Sequence, residues 1–221
     1  MRYLKTLLIV LFAATQTAVA ENADSDEKES KVRISVTGEL NSADAWRVDA
    51  GCHWFPIPYV GIGGSIGMWS QYSANGIPNG NNWSVDDKSS KPRNLYVQPS
   101  VLLLSPDVIK GEGWGLRLYG EAGVMFNVPY ERVNICIGPY GVIPYEYDYV
   151  SSNKGECVFF DGKIGLSMRF DRVSITAGYA YSTLDIYAQR RKMTYENQNF
   201  ASFYPKRKPT QGAFLSLSVN L

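Results

Sequence analysis

The chain has 221 residues, with 22 Lys and Arg against 21 Asp and Glu, and its formal charge of +1 gives no reason to expect nucleic acid as a partner. Its three cysteines are too few for a disulfide-built scaffold. Beyond residue 20 no apolar run approaches the roughly 18 residues that a spanning helix needs, so a membrane form of this chain has to cross with strands.

Arg2 and Lys5 precede an apolar run over residues 7–14, and Ala18-Val19-Ala20 supplies a small-x-small cleavage site, the pattern of a secretory signal. Cleavage after Ala20 leaves 201 residues, enough for one domain. It removes two basic residues and no acid, so the exported chain carries −1. Residues 21–30 are acidic, lack large apolar side chains and read as a short flexible periplasmic tail. Residues 31–221 then form the folded domain.

From there a two-residue period recurs eight times, the mark of strands with two unlike faces. The first strand sets Val32, Ile34, Val36 and Leu40 against Arg33, Ser35, Thr37 and Glu39. The second sets Trp46, Val48, Ala50, Cys52 and Trp54 against Arg47, Asp49, Gly51 and His53. The third, about residues 59–72, is glycine-rich, with Val60, Ile62, Ile66 and Met68 in phase. The fourth sets Leu95, Val97, Pro99, Val101 and Leu103 against Asn94, Tyr96, Gln98 and Ser100, and Pro99 suggests a bulge because it lacks a ladder donor.

The fifth strand sets Leu116, Leu118, Ala122, Val124 and Phe126 against Arg117, Tyr119, Glu121 and Asn127. The sixth sets Phe160, Ile164, Leu166, Met168 and Phe170 against Asp161, Lys163, Ser167 and Arg169. The seventh sets Val173, Ile175, Ala177, Tyr179 and Tyr181 against Ser174, Thr176 and Ser182. The last sets Ala213, Leu215, Leu217, Val219 and Leu221 against Phe214, Ser216, Ser218 and Asn220.

Connections alternate in length. Phe55-Pro56-Ile57-Pro58 and Asp171-Arg172 are short and residues 105–113 modest, whereas residues 73–92, 128–156 and 184–210 are long; only the first member of the long set, residues 41–44, is short. Short turns at one end and long loops at the other are the asymmetry of an outer-membrane barrel, and a soluble barrel has no need of it. The polar face is narrow and closely balanced: Arg33, Arg47, Arg117, Lys163 and Arg169 against Glu39, Asp49, Glu121 and Asp161. A solvated surface would carry more lysine. Charges confined in a small barrel must pair, because a lone buried charge is very costly, so these nine residues are placed in the lumen as a network. The fold expected is an all-β, eight-stranded antiparallel up-and-down transmembrane barrel.

Tyr59-Val60-Gly61-Ile62-Gly63-Gly64-Ser65-Ile66-Gly67, Leu118-Tyr119-Gly120-Glu121-Ala122-Gly123 and Leu215-Ser216-Leu217-Ser218-Val219-Asn220-Leu221 carry a resemblance. The chain resembles the small eight-stranded outer-membrane barrels of the OmpA/OmpX type, and especially the outer membrane protein beta-barrel domain proteins of Gram-negative Bacteroidetes. The resemblance implies residence in the bacterial outer membrane as a monomer, lipid and lipopolysaccharide as surroundings, and assembly by the barrel-insertion machinery. In that family the final residue is usually aromatic; Leu221 departs from this.

Candidate sites are few. His53, the one histidine, lies near a short-turn end, away from the outer leaflet where a lipid-modifying enzyme works, and reads as a satisfied rim or lumen residue. Cys136 and Cys157 bracket one long loop, a spacing that permits a disulfide in an oxidising compartment or simply two small apolar side chains. Arg190, Arg191, Lys192, Lys206, Arg207 and Lys208 face only Asp185 and Glu196 in their loop, which suits lipopolysaccharide phosphates or a solvated charged loop. Tyr130, Tyr140, Tyr145, Tyr147 and Tyr149, with Pro139 and Pro144, offer contact area for a ligand or host surface, or cover for the barrel mouth.

No metal cluster, phosphate loop or nucleophile constellation is evident, so no catalytic residue and no cofactor is assigned. The expected role is non-enzymatic and structural or surface-interacting. The alternatives are a narrow gated channel and a lipid-modifying enzyme.

Overall fold

The computed structural model describes residues 31–74, 76–138 and 146–221. The secretory signal, the acidic tail, Pro139, Tyr140, Pro144 and Tyr145 lie outside the described residues. Eight long strands form the wall: β1 (Val32–Asn41), β2 (Ala45–Ile57), β3 (Val60–Gln71), β5 (Arg93–Leu104), β7 (Trp114–Asn127), β10 (Val158–Phe170), β11 (Val173–Ser182) and β14 (Thr210–Asn220). Each pairs antiparallel with its neighbour in sequence order, and β1 closes the ring on β14, with Val36 opposite Leu217 on one side and Ala50 on the other. The wall is a closed eight-stranded antiparallel barrel, and closure leaves it no free edge.

The alternation read from the sequence sets which face each side chain takes. Ile34, Val36, Val48, Ile62, Ile66, Leu95, Val97, Leu118, Val124, Ile164, Leu166, Ile175, Leu215 and Leu217 are exposed on the outside. Between them Arg33, Glu39, Arg47, Asp49, Glu121, Asp161 and Lys163 are buried within. This is the reverse of a soluble barrel, and it leaves an apolar outer belt on every wall strand. Wall strands of 10 to 14 residues are long enough for a tilted crossing of a bilayer.

One local expectation is corrected. Pro99 makes no bulge: the β5–β7 register is the same on both sides of it (Val97 opposite Phe126, Ser100 opposite Gly123), so the proline only interrupts the ladder. The irregularity lies instead in β2, where the register against β3 shifts between Trp54 and Ile57. The turn that follows puts Tyr59 at a φ of 71°, a backbone position unusual for a large side chain. Gly63 is fixed by close approach, since a Cβ there would lie 2.0 Å from the Cys52 carbonyl oxygen.

The long connections fold together. β4 (Trp83–Val85), β8 (Glu131–Ile137) and β9 (Glu146–Ser152) make a three-stranded sheet in the order β4-β8-β9. Helix α1 (Asp87–Ser90), β12 (Thr194–Tyr195), β13 (Gln198–Asn199) and two short 3-10 turns complete this lid, while β6 (Ile109–Gly111) pairs with β7 at the short-turn end. Trp83, Val85, Val133, Ile135, Leu184, Ile186, Tyr187, Met193, Phe200 and Tyr204 pack into one buried cluster with Trp69, Tyr96, Met125 and Phe159 from the upper wall. Trp83 stacks on Phe200 at 5.8 Å and meets Tyr195 edge-on at 5.1 Å; Tyr187 stacks on Tyr204 at 4.7 Å. This cluster covers the mouth, but the tyrosines of the 128–156 connection take no part in it: Tyr130, Tyr147 and Tyr149 are exposed.

Candidate functional site

The barrel interior is one connected polar network. Arg47 projects from β2 into its middle and reaches Asp161 of β10 at 2.6 Å and Glu39 of β1 at 3.1 Å. Gln98 of β5 bridges the pair, accepting from Arg47 at 3.3 Å and donating to Asp161 at 3.2 Å, and the Tyr96 ring lies 5.3 Å from the guanidinium. One step along, Lys163 lies 3.6 Å from Asp49 and 3.8 Å from Glu121. The Tyr96 and Tyr119 hydroxyls donate to Asp49 at 2.9 Å and to Glu121 at 2.6 Å. An eight-stranded lumen is just wide enough for its own side chains, and this network fills it.

Toward the short-turn end the pairing departs from expectation. Arg117 and Arg169 both bind Asp107 of the β5–β6 connection, at 2.5 Å and 3.2 Å. Burial raises the pKa of Asp107, but the hydrogen bond and charge of Arg117, reinforced by Arg169, outweigh it and hold the carboxyl below its usual range. The Arg117 guanidinium also lies 6.0 Å from the Tyr59 ring, against the strained turn. Arg33, buried, meets no acid among the described residues and donates to Ser174 at 2.9 Å. Asp107 is therefore the member of the network that the sequence reading missed. It sits in a connection, where no periodicity marks it.

His53 is a buried lumen residue. Its Nε2 lies 2.9 Å from Ser100 Oγ, and Ser100 donates to Glu121 Oε1 at 2.8 Å. A serine hydroxyl has one proton, so with that proton on Glu121 it accepts from an Nε2–H of His53. A nucleophilic serine needs the opposite polarity, donating to Nε2, with the acid on Nδ1. Here Glu121 approaches the same nitrogen, at 3.9 Å. The trio has the residue types of a hydrolase site without its connectivity.

The basic loop also proves different from its sequence reading. Arg190 is buried, 2% exposed, so it cannot contact lipopolysaccharide. It donates to Glu131 of β8 at 2.6 Å and to the Ser90 carbonyl at 2.7 Å, tying three loops together. Burial drives the Glu131 pKa upward, and the Arg190 charge opposes this without cancelling it. Arg191 bonds to Asp185 and Arg207 to Glu156, so these guanidiniums have acid partners, while Lys192, Lys206 and Lys208 are exposed. The disulfide between Cys136 and Cys157 is not formed. The Cys136 thiol instead donates to Asp86 at 3.7 Å. Cys52 faces outward in the apolar belt. Tyr130, Tyr147 and Tyr149 are exposed, with Arg132 stacked 3.9 Å from the Tyr149 ring.

A closed wall of eight antiparallel strands, apolar outside and ionic within, is the architecture of the small outer-membrane β-barrels. Solved structures share this fold. A major outer membrane protein from Thermus thermophilus is 9% identical with a TM-score of 0.50, covering 87% of this chain and 99% of that one. The N-terminal β-barrel domain of Pseudomonas aeruginosa OprF is 14% identical (TM-score 0.44, 88% and 100% covered). Neisserial surface protein A is 12% identical (TM-score 0.45, 86% and 96% covered). No protein-family model and no curated protein matches the sequence.

Proposed function

We propose that this chain is exported with cleavage after Ala20 and inserted by the barrel-assembly machinery as a monomeric, non-enzymatic outer-membrane barrel. Its role is structural or surface-interacting, with the lid outside the cell and lipid around the wall. The single observation that carries this reading is the double closure of the lumen. Arg47, Lys163 and their four carboxylates fill its middle, and the Trp83–Phe200 cluster seals its long-loop end. A solute would have to break buried ion pairs to pass. The polarity of the His53–Ser100–Glu121 contacts weighs against lipid hydrolysis, and no second function draws comparable support.

The test is single-channel recording of the refolded protein in a planar bilayer, after a heat-modifiable gel band has shown that it is folded. A silent bilayer is expected. Reproducible openings that change on Glu121→Gln would overturn the closed-barrel reading in favour of a small gated pore.

A further inference from the structure

The period of β5 continues past its upper end. Leu95 and Val97 face outward, and two and four residues before Leu95 stand Arg93 and Lys91, both exposed and in the same phase. The alternate residues Ser90, Pro92 and Asn94 are each held by a hydrogen bond. The Ser90 carbonyl accepts from Arg190 at 2.7 Å, the Pro92 carbonyl accepts from the Gln71 amide at 2.9 Å, and the Asn94 side chain donates to the Val128 carbonyl at 2.9 Å. The buried Ser90 contact and the Pro92 ladder bond to β3 fix the backbone, and Lys91 and Arg93 remain exposed. Residues two apart on a strand are about 6.7 Å apart, so Arg93 stands one step above the apolar belt and Lys91 about one more.

Their flanks suit the same level. Ser70 of β3 pairs with Arg93, and the exposed Tyr72 and Tyr130 lie just beyond the ends of β3 and β7. Arg190 holds Glu131 of β8 beside Ser90, while the exposed Arg132 that follows stacks on Tyr149 of β9 and is engaged there. Elsewhere on the outer rim Glu156 is acidic and bound to Arg207, and Gln211 is neutral and bound to Tyr179.

We propose that Lys91 and Arg93 form a binding site for the phosphates of outer-leaflet lipid headgroups, the phosphorylated glycolipid type in particular. The inference rests on the membrane reading above. It moves the lipid contact from the Arg190 loop to the barrel wall. Arginine presents a planar fork that binds phosphate bidentately, and lysine adds a point charge alongside. Lys206 and Lys208 lie in an irregular segment that no ladder holds at a set height, which makes them the natural comparison.

The full chain is first refolded into phosphatidylcholine vesicles and its insertion scored by heat-modifiable mobility. Binding of bis-phosphorylated and of dephosphorylated lipid A is then measured by native mass spectrometry of the detergent-extracted barrel. Each cation near a membrane surface contributes roughly fivefold, so Lys91→Gln/Arg93→Gln is expected to weaken phosphorylated lipid A about 20-fold. Lys206→Gln/Lys208→Gln is expected to leave it within about twofold, and dephosphorylated lipid A should bind wild type no better than the Lys91/Arg93 variant. Unchanged affinity in the inserted Lys91/Arg93 variant, a loss confined to the Lys206/Lys208 variant, or full competition by inorganic phosphate would each overturn the inference alone. Failure of the wild type to insert would overturn the membrane reading with it.

Discussion

Replacing Arg47 with Met keeps much of the side-chain volume and removes the one cation that holds both Asp161, at 2.6 Å, and Glu39, at 3.1 Å. At an effective dielectric of about 20 each contact near 3 Å is worth on the order of 5 kcal/mol gross, and desolvation of the three ions offsets most of it. The variant does not simply forfeit that net, since it leaves two buried carboxylates without their cation. Neutralising one at pH 7, from an ordinary carboxylate pKa of about 4, costs about 4 kcal/mol. Asp161 retains the Gln98 amide, which softens its share.

The expected loss is therefore about 3–5 kcal/mol, the range for breaking a buried pair from one side. It should shrink as pH falls below about 4, where protonation costs nothing. Urea unfolding in vesicles, followed by tryptophan fluorescence and heat-modifiable mobility, reads the difference. Replacing all three residues with apolar ones should recover most of the loss, because no stranded charge remains. An Arg47→Met loss under about 1 kcal/mol at pH 7, or one that does not diminish in acid, would refute a tightly paired lumen.

Leu217→Arg puts a charge on the outer belt and is expected to cost about 2–4 kcal/mol in a lipid refolding titration if the site lies near the midplane; equal stability would refute the assigned face. Asp107→Asn should cost about 1–2 kcal/mol, discounted for the partial exposure of Arg169. Because the folded Asp107 carboxyl is held below its ordinary range, its contribution is present above about pH 4 and disappears as pH falls further, and the unfolding curves of wild type and the Asp107→Asn variant should converge there. Trp83→Ala removes a fully buried ring and should destabilise the lid by about 3–5 kcal/mol. Limited proteolysis should then cut the long loops while the heat-modifiable barrel band survives. Gly63→Ala drives a Cβ into the Cys52 carbonyl and should sharply lower the folded yield, whereas Gly113→Ala meets nothing within 4 Å and tests only its φ of 75°.

The wall was legible because a barrel strand has one lipid face and one lumen face, and a two-residue period states both. Phase groups Arg33, Arg47 and Lys163 on one face, the balanced charge of that face puts it in the lumen, and all three are buried there. Which acid each cation meets was not legible, because partners on β2 and β10 are 114 residues apart and their relative height depends on strand stagger. Asp107 lies outside any periodic run, so nothing distinguished it from a solvated turn residue. The loops misled in a similar way: three consecutive basic residues suggest a solvated patch, yet Arg190 turns inward because Glu131 and the Ser90 carbonyl wait for it. Leu184, Ile186, Met193 and Phe200 hold no single period, so a core built from irregular chain left no pattern to read.

The knot that Arg190 makes among three loops bears on how such a surface can change over generations. Charge reversal at Glu131, or a deletion that shifts Ser90, undoes a contact in a segment about 60 or 100 positions away. Drift in one loop is thus conditional on its neighbours. Freedom to vary is left to the outward positions of β8 and β9, such as Asn134, Tyr147 and Tyr149, which lie outside the buried cluster. Sequences descended from a common ancestor should therefore diverge in the paint on that sheet well before they diverge in the joinery beneath it.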